Sequence, residues 1–242
     1  LSPNDEFADF ETFETNLGLN VAKDWMLKHE YARGALQQGL IHQKALGVNP
    51  YKFGMIGSTD SHNSLVTPEE DNFFGKFVES EPGPDRLQNK MAGGRLWENW
   101  RIVASGYAAV WANENTREAI FAAMKRKEVY ATTGSRIRVR FFGGWNLKEE
   151  MIDRPNYEEM GYMHAVPMGG DLTRTKENQT PGFMFSAARD PLGANLDRVQ
   201  IVKGWLDRNG KTREKVYNVG WAGDRSIEQE TGKLPPIGST IN

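Results

Sequence analysis

Within residues 136–142, Arg136, Arg138 and Arg140 share one parity, and Ile137, Val139 and Phe141 the other. Successive side chains of a strand point to opposite faces, so this run suits a strand with one apolar and one polar side. A helical period would scatter the arginines around a cylinder. The arginine side is either a solvated sheet face or a surface for an anionic substrate, and the solvated face is expected. From Gly143 onward helical periodicity fades, while Gly, Pro and Asn accumulate. Gly182–Ala188 and Asp197–Lys203 are strand-like, and Asp207-Arg-Asn-Gly210 separates the second of them from Thr212–Val219. Asn-Gly between two such runs is a strong hairpin signal. An antiparallel hairpin pairing roughly 198–206 with 212–219 is therefore expected. Residues 161–170 read as a loop of small residues carrying His164.

The first part of the chain mixes periods. From about Asn20, the residues Val21, Trp25, Ala32, Leu36 and Leu40 follow a helical stripe, which Gly47 and Pro50 close. His29 and His42 lie on that helix and read as surface or boundary histidines. Residues 52–58 read as a buried strand. Residues 63–95, with Pro68, Pro82 and Pro84, read as a long surface excursion forming a lid or rim. A second short strand is expected within 105–112. Asn115 with Glu118 resembles a capping box that opens a helix running to about Lys127. Ile120, Ala123 and Met124 form its inner face, and Lys125, Arg126 and Lys127 suit the negative end of its dipole. Val129–Gly134 is the next strand.

The chemistry concentrates in Phe53-Gly-Met-Ile-Gly-Ser-Thr-Asp-Ser-His-Asn-Ser64. At the end of a strand, Asp60 and His62 are two residues apart and point the same way. A carboxylate oxygen and an imidazole nitrogen on one side begin a site for Zn, Mn or Fe. The alternative is a turn, in which Ser58, Thr59, Asp60, Ser61 and Asn63 bond to nearby backbone and His62 is incidental. An open catalytic site needs three protein ligands, and the pair supplies two.

Gly57-Ser-Thr-Asp-Ser-His62 resembles the last metal-binding motif of PHP-domain (polymerase and histidinol phosphatase) hydrolases, with Thr59 where many relatives have serine. The wider text is more similar to an uncharacterised bacterial family, domain of unknown function 3604, regarded as PHP-like. That likeness rests on Ser2–Glu11, Tyr31–Leu36, Leu46–Asn63, Asp71–Gly75, Val129–Gly134 and Arg198–Trp205. It implies an α/β fold. Residues 1–142 would be the later, C-terminal portion of a distorted PHP-like barrel, and residues 143–242 a β-rich, antiparallel, sandwich-like region. It assigns Asp60 and His62 as metal ligands and catalytic residues for a divalent metal (Zn, Mn or Fe). The His-x-His motif expected on the first strand of such barrels does not occur, so the chain is expected to be a fragment lacking its N-terminal segment, with an incomplete site.

Thirty Lys and Arg against 32 Asp and Glu leave a net charge of −2, which gives no electrostatic case for a nucleic-acid partner. With no cysteine, disulfides, thiolate metal sites and a Cys nucleophile are excluded. No apolar run is long enough to span a bilayer, so no membrane partner is expected, and the compartment stays open between cytoplasm and periplasm. No Gly-x-Ser-x-Gly elbow supports a serine hydrolase. Asp5, Glu6, Asp9 and Glu11 read as a solvated acidic face rather than as ligands. Two functional readings stand. One is a metal-dependent hydrolase acting on a small phosphoester or sulfoester through a metal-activated water. The other is a non-catalytic glycan-binding or structural β-rich module with a structural ion at the Asp-x-His turn.

Overall fold

The structure, a computed structural model, describes residues 23–59, 61, 62, 64, 83–85, 88, 106–174, 179–238 and 240. The acidic run at 5–11 and most of the excursion at 63–95 lie outside them.

The helical stripe folds as two helices, α1 (Asp24–Glu30) and α2 (Ala32–Leu46), separated by extended Tyr31 at φ −121°, ψ 146°. Gly39 is buried within α2, where a Cβ would collide with the Asn49 side chain. Gly47 ends the helix in the left-handed region (φ 78°), and its N–H donates to the Gln43 carbonyl at 3.1 Å. Glycine adopts this conformation without Cβ strain, which is why it stops helices.

Among the described residues the strands form three small sheets. β1 (Tyr107–Val110) pairs antiparallel with β2 (Val129–Thr132), and α3 (Arg117–Arg126) connects them. The cap of α3 is Thr116, whose side-chain oxygen accepts the Ala119 N–H at 3.3 Å. The expected Asn115 cap is thus one residue early. β3 (Arg138–Gly144) lies between β4 (Val166–Pro167) and β5 (Gly182–Ala188), both antiparallel to it. β6 (Arg198–Leu206) and β7 (Thr212–Trp221) form the expected hairpin, with Leu206 opposite Thr212. Gly210 turns at φ 78° and Asp207 Oδ1 accepts the N–H groups of Asn209 and Lys211, both at 2.9 Å.

Helix and strand are thus mixed, and antiparallel sheets fill the C-terminal region as expected. No closed barrel is formed among the described residues. Residues 52–58 belong to no strand, and Phe53, Met55 and Ile56 are 38–55 % exposed, against the expected buried strand. The apolar run signals burial, but no ladder partner among the described residues takes up its backbone. The 161–170 loop is also corrected. Its first part ends a helix, α4 (Tyr157–His164), with His164 as the last residue.

The main buried cluster joins Phe142 on β3, Met184 on β5 and Met151 in a short 3-10 turn (Glu149–Met151), with Leu147, Tyr157 and Met160 packed around it. Between β3 and β5 on one side and β6 on the other lies a largely apolar cavity of about 440 Å³ lined by Val139, Phe141, Phe185, Ala187, Val199 and Ile201. α2 docks on the hairpin through Glu214, which accepts from Arg33 Nη1 at 3.2 Å and Gln37 Nε2 at 3.1 Å. Asp197 fastens the C-terminal segment. Its carboxylate accepts from Arg198 Nε at 2.8 Å, Arg225 Nη1 at 3.0 Å and the Ile237 N–H at 2.9 Å. No helix among the described residues is long and apolar enough to cross a membrane.

Candidate functional site

The segment leading to the Asp-x-His motif is held by close backbone packing. A Cβ at Gly54 would lie 2.6 Å from the Val129 side chain, and one at Gly57 would lie 2.6 Å from the Thr132 carbonyl oxygen and 2.9 Å from that of Tyr107. Gly106 is equally tight, 2.9 Å from the Ser58 carbonyl oxygen. Only residues without a Cβ allow three chain segments to approach this closely. Residues 54–58 therefore run along the β1–β2 pair and leave it at the Tyr107/Thr132 end, just before Asp60.

Beyond that point the Ser61 N–H donates to Thr59 Oγ1 at 3.3 Å, a serine/threonine turn of the kind the residue types favour. His62 is exposed. Asp60 lies outside the described residues. Among the described residues no three His, Asp or Glu side chains converge as a metal-binding group. The other histidines are dispersed. His29 is exposed on α1, His42 on α2 sits 5.9 Å from the Tyr51 ring, and His164 is exposed at the end of α4.

An open cleft of about 380 Å³ lies at the same end of the β1–β2 pair, lined by Tyr107, Tyr130, Thr132, Arg136 and Arg138 among others. Thr132 is buried, and its Oγ1 accepts the Tyr107 N–H at 3.1 Å, which fixes that rim. The Arg136 guanidinium lies 4.9 Å over the Tyr107 ring and donates to the Tyr107 hydroxyl at 3.3 Å. The Arg136 N–H donates to Asp190 Oδ2 at 2.7 Å. This bond and one from the Leu192 N–H hold the Asp190 carboxyl below the usual carboxylate range.

The arginine face expected to be solvated divides in the structure. Arg138 is exposed, but the Arg140 guanidinium stacks 3.5 Å from the Trp111 ring centre and only 14 % of its side chain is exposed. Arg140 Nη1 donates to the Tyr162 hydroxyl at 2.6 Å, and that hydroxyl donates to Glu128 Oε1 at 2.7 Å. Glu128 is buried and also pairs with Arg126 at 2.8 Å. Burial, reinforced by the bond to Glu128, pushes the Tyr162 hydroxyl above its ordinary pKa, against the opposing pull of Arg140. This network ties α3, β3 and α4 together. Its carboxylate is enclosed and doubly paired, so it is a structural element rather than an open acid or base.

Sequence reasoning marked the row of arginines but not their partners. Tyr107, Tyr130 and Thr132 carry no local signal, because the cleft exists only once β1 and β2 pair. A family model described as "Protein of unknown function (DUF3604)" matches residues 1–242. No curated protein and no solved structure matches the chain.

Proposed function

We propose, from the premise that the chain belongs to the DUF3604 family, that it is part of a PHP-like metal-dependent hydrolase that cleaves small phosphoesters or sulfoesters. The observation that carries the reading is the path of the segment that leads to the Asp-x-His motif. That segment is glycine-packed and ends beside the Tyr107/Thr132 rim of a cationic cleft. The donor chemistry fits a divalent Zn, Mn or Fe ion. Asp60 offers a hard oxygen and His62 an imidazole nitrogen, and both would serve as ligands. Such an ion, when bound, lowers the pKa of a water and polarises a phosphoryl or sulfuryl oxygen.

The chain's own residues supply position. Gly54 and Gly57 fix the path of the segment. Thr132 and Tyr107 form the rim, and Arg136 adds positive charge that favours an anionic ester over a neutral one. The test is turnover of aryl phosphate and aryl sulfate by the intact protein, loaded with Zn, Mn or Fe and then stripped with chelator. Metal-dependent release of the aryl alcohol supports the hydrolase. Inert protein under every loading refutes it.

A second reading rests on Tyr217 and Trp221, which are 38 % and 39 % exposed on β7. Exposed aromatic rings suit stacking against sugar rings, as in a glycan-binding module. Binding of a polysaccharide by a metal-free, catalytically inert protein would favour it.

A further inference from the structure

We infer that the cleft between the β1–β2 pair and the start of β3 is an oxyanion subsite, in which Arg136 and Arg138 hold the tetrahedral phosphate or sulfate group of the substrate. The inference rests on the hydrolase reading for its place in catalysis, but the binding it describes needs neither metal nor turnover.

The cleft's eight lining residues include two arginines and no acidic residue. Its volume of about 380 Å³ lies within the range of small-molecule sites, about 300–1,000 Å³. Arg136 is already placed: its guanidinium rests on the Tyr107 ring and donates to the Tyr107 hydroxyl. Its backbone is tied to Asp190, whose carboxylate also takes the Leu192 N–H at 3.0 Å. Arg138 is different. Its side chain, two positions further along at the start of β3, is exposed and makes no hydrogen bond or ion pair among the described residues. One fixed and one movable guanidinium make a clamp, because each fork offers paired N–H donors that match two oxygens of a tetrahedral anion. The rings of Tyr107 and Tyr130 give the rest of the cleft flat apolar walls for an aryl or sugar group. The Gly57–Ser58 segment, which leads to the Asp-x-His motif, lies against the backbone of Tyr107 at the rim of this cleft. The substrate class that fits is a small, singly esterified phosphate or sulfate with a planar or ring-shaped alcohol portion.

The experiment titrates inorganic sulfate and phosphate into the metal-free intact protein by calorimetry, for wild type, Arg138→Gln, Arg138→Lys and, as a control for charge loss, Arg208→Gln in the β6–β7 turn. Arg138→Gln should weaken binding about tenfold, the worth of one charge-assisted hydrogen bond. Arg138→Lys should lie between it and wild type, and Arg208→Gln should match wild type. Equal affinity in Arg138→Gln and wild type, or an equal loss in Arg208→Gln, overturns the subsite. In the metal-loaded protein the same Arg138→Gln change should raise KM for aryl phosphate or sulfate with kcat held within about twofold, since the clamp grips ground and transition state alike. Absence of turnover in wild type would sink the hydrolase reading while a charge-specific loss of sulfate binding still upheld the subsite.

Discussion

Gly161→Ala sets two opposed effects against each other in one helix. Gly161 lies in the interior of α4, where glycine costs about 1 kcal/mol relative to alanine. On propensity alone the substitution stabilises. The position is buried, however, and a Cβ there would lie 2.8 Å from three atoms of the Phe142 ring. That ring is 1 % exposed and meets Tyr162 edge-to-face at 5.2 Å, so it has nowhere to retreat. Overpacking a filled core costs about 1–3 kcal/mol. The difference is a net destabilisation of about 0–2 kcal/mol, a fall in Tm of up to about 8 °C for a chain of this size. Denaturant unfolding of wild type, Gly161→Ala, Phe142→Leu and the double variant forms the complete cycle. In the Phe142→Leu background the ring edge is gone, and Gly161→Ala should become neutral or stabilising. A stabilising Gly161→Ala in the wild-type background, or additivity across the cycle, would refute the packing account.

Two further outcomes follow from particular contacts. Burial alone would raise the Asp197 pKa, but its bonds from Ile237, Arg198 and Arg225 outweigh burial and hold it below the ordinary carboxylate value of about 3.9. Its stabilisation is therefore fully present above that pH and is lost as pH falls through the lower folded value. Asp197→Asn should be less stable at neutral pH and show a flatter loss of Tm between about pH 4 and pH 2, whereas a parallel acid limb would contradict the assignment. Gly210→Ala forces a Cβ into the left-handed region at φ 78° and should cost about 1 kcal/mol by thermal unfolding, with only the mobile Lys44 ammonium, 2.9 Å away, to yield.

Local patterns gave the parts of the fold that local chemistry determines. The β6–β7 hairpin was legible because Asn209-Gly210 and the flanking runs are adjacent in sequence, and β3 because Val139 and Phe141 alternate with arginines. Helix α4 was not: Gly161 falls at its centre, and its buried face is chosen by Phe142 on a distant strand rather than by a periodic stripe. Residues 52–58 misled for the opposite reason. Their apolar run resembles a strand, yet Gly54 and Gly57 use it to lie against the β1–β2 pair without joining a ladder. Arg140 shows the same limit, since its place in the alternation did not reveal the Trp111 ring beneath it. For the candidate site, Asp60 and His62 were legible as a motif. The cleft beside them was not, because Tyr107 and Thr132 meet only through strand pairing across 25 residues.

The most direct test of the metal-hydrolase reading is a Zn and Mn titration of the intact protein, with aryl-ester turnover followed in the same samples, for wild type, Asp60→Ala and His62→Ala. Loss of a directly coordinating group should weaken metal affinity by at least about tenfold, since even outer-shell partners of metal ligands are worth that much. Turnover should fall in step and return as metal is raised. Metal affinity and turnover equal to wild type in both variants would contradict the claim that Asp60 and His62 hold the metal.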